Sequence, residues 1–181
     1  MSRPFVADRF LRLLRNDLLD GLRPRLYGML ALFGLIALVY VSNPAGRPLT
    51  EPTLANAFFG IALIGGGLVL TSMAFSDMHH PLLRYQYLLL PVSNLERFFS
   101  RWLITGPLYV LVLLPVFWLA DAAGSLLMEA VHGVSPVRFR LISGEVGILV
   151  RVYLFVHALM FVGAICFRSL PLLKTVAVAL A

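Results

Sequence analysis

The feature that most limits what this chain can fold into is a series of long stretches without a single charged residue. Between Arg25 and Arg47 lie 21 uncharged residues, between Glu51 and Asp77 another 25, and Trp102–Ala120 adds 19. A fourth run, Val152–Phe167, counts 16, so its helix is expected to begin near Val146 and to carry Arg151 at its end. An arginine there can extend its stem to the headgroups. A hydrocarbon core about 30 Å thick needs roughly 20 helical residues. The runs therefore predict membrane-crossing helices at about 26–43, 54–76, 101–120 and 147–167. After Arg168 the chain turns apolar again from residue 169, passes Lys174 and stops at Ala181, inside what reads as an incomplete fifth span of the kind expected in a fragment.

The expected fold class is all-α: a polytopic membrane helix bundle with an N-terminal interfacial amphipathic helix. Composition agrees. The chain is 60% hydrophobic and 13% charged, and the charged share is half the ~25% of soluble domains. That leaves too little polar surface to cover a water-facing globule.

Basic residues orient the spans. With the N-terminus in the cytoplasm, the inner segments hold Arg3, Arg9, Arg12, Arg15, Arg23, Arg25, Arg84, Arg97, Arg101, Arg168 and Lys174, against Arg47, Arg138, Arg140 and Arg151 outside. The expectation is a multi-pass protein of the inner (plasma) membrane with a cytoplasmic N-terminus. A net charge of +6 is compatible with nucleic acid, but these residues sit at the edges of apolar runs, so no nucleic-acid partner is expected. The single Cys166 allows no intrachain disulfide, and no Cys/His set has zinc-site spacing. Residues 1–25 carry six Arg and three Asp with no small-residue cleavage site after a short apolar core, unlike a secretory signal.

Phe10, Leu14, Leu18 and Leu22 recur every fourth residue with Leu11 beside them, so they share a helical face; Asp8, Arg9, Arg12, Arg15, Asn16 and Asp20 occupy the other side. Such a helix suits the membrane interface, with Pro24 turning the chain into the first span. The alternative is a solvated lead-in. Residues 42–53, rich in Pro and Gly, read as a short outer turn. Residues 121–145 read as a longer outer loop whose Leu126, Leu127 and Val131 suit a short helix on the membrane.

Residues 75–101 form the main inner loop. Asp77, His79 and His80 resemble metal ligands, but adjacent histidines point to different sides of a helix and no second ligand cluster occurs. A helix start fits them better, with Asp77 at the positive N-terminus and Pro81 in the first turn. The apolar run Leu82–Leu90 is too short to span, and Pro91 excludes helix at the residue before it. Ser93 and Glu96 then form S-x-x-E, a capping box that would start a helix at Asn94. The result is an elbow of two helices exposing Leu82, Leu83, Tyr85, Tyr87 and Leu90, ringed by Arg84, Glu96 and Arg97. This is a docking surface for another protein or a helix laid against lipid headgroups.

Within the spans, Gly65, Gly66 and Gly67 suit close helix packing, Ala62 and Gly66 forming a small-xxx-small pair; a broken helix lining a pathway is the alternative. Pro107 and Pro115 predict kinks. His157 is the one ionisable residue deep in a span, which makes it a functional candidate, although an imidazole bonded to a backbone carbonyl would also explain it. No Gly-Lys-Ser/Thr, H-E-x-x-H or G-x-S-x-G motif is present. No catalytic, metal or cofactor-binding residue is therefore expected, and any ATP must be held by a partner.

The stretch Tyr85-Gln86-Tyr87-Leu88-Leu89-Leu90-Pro91-Val92-Ser93-Asn94-Leu95-Glu96-Arg97-Phe98-Phe99 resembles the cytoplasmic loop of type-2 ABC exporter permeases. In that family a leucine run leads to Pro-Val-Ser or Pro-Ala-Ser and then a helix beginning near an acidic residue. The loop lies between the second and third spans, and an amphipathic connecting helix precedes the first, matched here by Phe5–Leu22. The resemblance covers nearly the whole chain in layout and about 20 residues in motif. It implies a homo- or heterodimer of permeases, each bound through the elbow around Leu82–Phe98 to a cytoplasmic ATPase. The chain departs from the family where Asp77-Met78-His79-His80 replaces a Glu-rich approach, and where six spans become four and part of a fifth. Two other readings remain: a non-transporting scaffold or assembly protein, and a lipid-modifying membrane enzyme using Asp77, His79 and His80.

The charge map predicts that Leu95→Cys, in a Cys166→Ser background, reacts with a membrane-impermeant maleimide in inside-out vesicles and not in intact cells. The opposite pattern would reverse the orientation.

Overall fold

The computed structural model describes residues 6–42, 52–75, 92–133, 138–167 and 171–180. Every regular element among them is helical: α1 (Ala7–Asp20), α2 (Leu22–Ser42), α3 (Pro52–Ile61), a π-helical turn (Ala62–Gly66), α4 (Gly67–Ser72), α5 (Asn94–Thr105), α6 (Pro107–His132), α7 (Gly144–Cys166) and α8 (Pro171–Leu180). Three helical runs are long and apolar enough to cross a membrane: Ala55–Ser72, Asn94–His132 and Gly144–Cys166. The apolar stretch of α2, Leu26–Val39, is shorter. Large apolar side chains such as Ile61, Leu111, Phe155 and Val162 are exposed on these helices, as suits a protein whose solvent includes lipid.

The chain divides into two compact units. The first comprises α1, α4, α5, α8, the beginning of α6 and the part of α7 from Val152 onward. Ala74, Phe75, Phe161 and Ala164 form its core. The Phe161 ring meets Phe75 and Phe98 at 5.2 Å each. Gly163 of α7 lies against Thr175 of α8, where any side chain at 163 would overlap the threonine.

The second unit comprises α3, nearly all of α2 and α6, and the start of α7. Its centre is three mutually packed rings. Phe59 meets Phe117 at 5.3 Å and Phe139 at 5.2 Å, and Phe117 meets Phe139 at 4.9 Å. Such pairs contribute about 0.5–1.5 kcal/mol each beyond the area they bury. Asp121, 2% exposed, holds Phe139 in place by accepting its backbone N–H at 2.9 Å. The Asn56 amide donates to Glu145, and Leu149 packs on Gly60.

Several boundaries differ from the sequence expectation, each for a local reason. The chain turns at Gly21, and Pro24 lies inside the first turn of α2, where a missing N–H breaks no helical bond. The helix of the third predicted span continues past Ala120 to His132, so Leu126, Leu127 and Val131 belong to α6 and no separate surface helix forms there. The charge of Asp121 does not end the helix because the carboxylate is satisfied internally. Gly133 ends it with a φ of 66°, the left-handed conformation favoured after a helix C-terminus. Pro107 starts α6 after a break at Gly106, while Pro115 lies within the helix without ending it. The helix of the fourth predicted span begins at Gly144, placing Arg151 inside α7, its Nε donating back to the Gly147 carbonyl at 3.1 Å.

Gly163→Ala is expected to destabilise the chain by about 1–3 kcal/mol through overpacking, and Thr175→Gly in the same chain should recover much of that. Thermal unfolding in detergent would measure both; an undisturbed Gly163→Ala variant would refute the packing.

Candidate functional site

The part of the inner elbow nearest α5 is where sequence and structure meet. Leu82, Leu83, Arg84, Tyr85, Tyr87 and Leu90, with Asp77, His79 and His80, lie outside the described residues. Ser93, Glu96 and Arg97 are described, and all three are buried. The S-x-x-E box forms as expected. Ser93 Oγ accepts from the Glu96 N–H at 3.2 Å, and the Glu96 carboxylate accepts from the Ser93 N–H at 2.7 Å. That closes the N-terminus of α5, whose first N–H groups have no partner within the helix.

Glu96 also reaches across to α1. Its carboxylate accepts the Val6 N–H at 2.9 Å, Arg9 Nε at 3.0 Å and Arg9 Nη2 at 2.8 Å. Glu96 is fully buried and Arg9 partly so, a setting in which charge-assisted bonds are stronger than neutral ones. Two turns further along α1, Asp17 accepts Ser100 Oγ at 2.6 Å and pairs with Arg101 at 3.3 Å. Leu13 is buried between these pins. Arg9, Leu13 and Asp17 follow one another at intervals of four, so α1 docks on α5 along one seam. The apolar residues Phe10, Leu14 and Leu18 are half-buried beside it, and Leu11 is exposed.

The Arg9 guanidinium bound to Glu96 holds the carboxyl at about 2, against an ordinary 4.5; burial opposes the shift, and the Val6 and Ser93 N–H groups and the Arg9 charge add to it. With the folded value depressed, the stabilisation is whole above pH 4.5, declines as the pH falls toward 2 and is lost below it.

At the other end of α5, a second set of polar groups gathers in the same unit. His157, 1% exposed, bonds Thr105 Oγ1 through Nε2 at 2.9 Å, and Thr105 Oγ1 is 2.8 Å from the Arg101 carbonyl. A carbonyl can only accept, so a threonine proton spent on Arg101 leaves Nε2–H as the donor to Oγ1. The partner of His157 is therefore a hydroxyl and not the backbone carbonyl expected for a structural imidazole. The Tyr153 hydroxyl donates to the Thr105 carbonyl. His157 stacks on Phe161 at 5.5 Å.

The three glycines behave differently. A side chain at Gly66 would meet the Tyr109 hydroxyl, one at Gly67 would overlap the Tyr153 ring, and Gly65 faces open space. At Gly66 and Gly67 the small residues make room for tyrosine rings, and the helix is also irregular there, with the π-helical turn ending at Gly66. Asp17, Ser100, Thr105, Tyr109 and Tyr153 also belong to these two clusters, unforeseen from the sequence. Only Asp17 carried a usable signal, its four-residue spacing from Arg9 through Leu13. Among the described residues, no group of three or more metal-ligating side chains is brought together.

Compared with known proteins, the chain matches no family model, no curated protein and no solved structure.

Glu96→Gln, which removes the charge and turns one acceptor oxygen into a donor facing other donors, should free α1. Tryptic cleavage after Arg12 and Arg15 is expected to accelerate on the order of tenfold, following the open population. An unchanged cleavage rate would show that the carboxylate does not hold the two helices together.

Proposed function

We propose that this chain is the membrane-spanning permease subunit of an ATP-driven exporter, coupled through the 77–98 cytoplasmic loop to a separate ATPase. The observation that carries the proposal is the double use of Glu96. The residue that ends the elbow by capping α5 also holds α1, so a push on the elbow is delivered to two helices together. A soluble motor needs such a grip, because a loop that ended in an unfastened helix would yield without moving the spans. The resemblance of residues 85–99 to the coupling loop of type-2 exporter permeases supports the same reading.

In this reading Leu82, Leu83, Tyr85, Tyr87 and Leu90 are the docking surface, Arg84 its basic rim, and Ser93, Glu96 and Arg97, which are buried, the link to the membrane helices. ATP is bound and hydrolysed by the partner. Two permease subunits, identical or different, form the pathway within the inner membrane, each with a cytoplasmic N-terminus. The substrate is selected by the shape of that pathway.

The test is ATP hydrolysis in the complex purified from native membranes in mild detergent. Leu83→Ala, Tyr87→Ala and Leu90→Ala together should remove most of the co-purifying ATPase activity. Hydrolysis retained by the triple variant, or absent from the unmodified complex, would overturn the assignment.

A further inference from the structure

The helical path from α5 to α6 is broken at one residue. The Gly106 N–H still closes a helical bond to Trp102 at 2.9 Å. The next residue, Pro107, has no N–H to offer, and α6 starts there. The last carbonyls of a helix lose their intrahelical donors at such a break. One of them, that of Thr105, is taken up by the Tyr153 hydroxyl of α7. The adjoining Thr105 side chain is held by His157, one turn further along α7. Gly106 lies against the same imidazole: a Cβ there would come within 3.1 Å of His157 Cε1 and 3.0 Å of the Trp102 carbonyl oxygen.

We infer that Thr105–Gly106 is a joint whose angle is set by Tyr153 and His157, and that α1 and α5 form one rigid arm on its N-terminal side. Two sets of bonds make the arm stiff: Val6 and Arg9 on Glu96, and Ser100 and Arg101 on Asp17. Within the arm, ring contact also ties α5 to α7 where Phe98 meets Phe161 at 5.2 Å. The bond ladder that keeps an unbroken helix straight is interrupted after Gly106, where Pro107 has no N–H, so side chains of a neighbouring helix supply the restraint. His157 and Tyr153 are thus positioning residues for the arm, which explains why an ionisable side chain is kept in a membrane span. The inference goes beyond the exporter reading and does not depend on it, since the joint belongs to the chain whether or not a motor drives it.

Spin-label distances in the full chain, reconstituted in nanodiscs with Cys166→Ser, test this directly. One label pair, Leu11→Cys with Leu95→Cys, lies within the arm. A second, Leu95→Cys with Val162→Cys, reports the arm against α7. Both pairs should show a single narrow distance in the otherwise unmodified chain. Tyr153→Phe, which deletes the bond to the Thr105 carbonyl, should broaden or split the second distance and leave the first unchanged. Thr105→Val, which removes the His157 bond, should do the same and serves if the tyrosine variant does not fold. Two unchanged distances would overturn the joint, and broadening of both would overturn the rigid arm.

Discussion

A carboxylate withdrawn from water must be surrounded by donors, because an unpaired buried charge costs several kcal/mol. Glu96 meets that condition with donors from three places: its own cap, the residue preceding α1, and an arginine on α1. The demand for donors fixes where α1 lies. Asp17 repeats the demand two turns further along α1, where it takes Ser100 and Arg101. Asp121 meets the same requirement on a smaller scale. It lies within α6 and draws the backbone of Phe139 inward, which seats that ring between Phe59 and Phe117. In both places withdrawn carboxylates organise a packing arrangement that apolar contacts alone would leave loosely specified.

The glycines act in the complementary way, by what they lack. Tyr109 and Tyr153 fit where Gly66 and Gly67 present no side chain, and Thr175 fits against Gly163. Between membrane helices, where lipid is as apolar as any leucine, close fit replaces water exclusion as the source of association. Tyrosine adds a hydroxyl that must be bonded when buried, and Tyr153 spends its own on the helix break at Thr105. Packing and hydrogen bonding are therefore satisfied by the same residue.

Much of this was legible in the sequence, and the exceptions share a cause. The all-α class, the helix-rich apolar runs, the amphipathic α1 and the capping box at Ser93 and Glu96 all follow from local patterns with a known period or spacing. The end of the third span did not, because Asp121 reads as a water-seeking charge until Phe139, 18 residues later, is known to bond it. The seam of α1 was missed for a similar reason. Arg9 belongs to the charged side of the helical wheel, and only the partner on α5, 87 residues away, turns it inward. The break at Gly106 was expected at the neighbouring proline, whose steric effect is local. Its bridging by Tyr153 is a contact between distant positions, and no spacing rule encodes it.

The length of α6 has a consequence of its own. Its 26 residues rise about 39 Å at ~1.5 Å each, and hydrocarbon is about 30 Å deep. An acid near the middle would ordinarily mark the point where such a helix leaves the oil. Asp121 does not, since its charge is answered inside the protein and Leu126 and Leu127 still face outward beyond it. The exposed Glu129 ends the outward uncharged face, which runs from Pro107 to Met128 and rises about 33 Å at ~1.5 Å per residue, so in a bilayer a small tilt or local thickening covers it. The chain thus presents a taller apolar belt than its charge map suggests, and bilayer thickness becomes a variable to which it should respond.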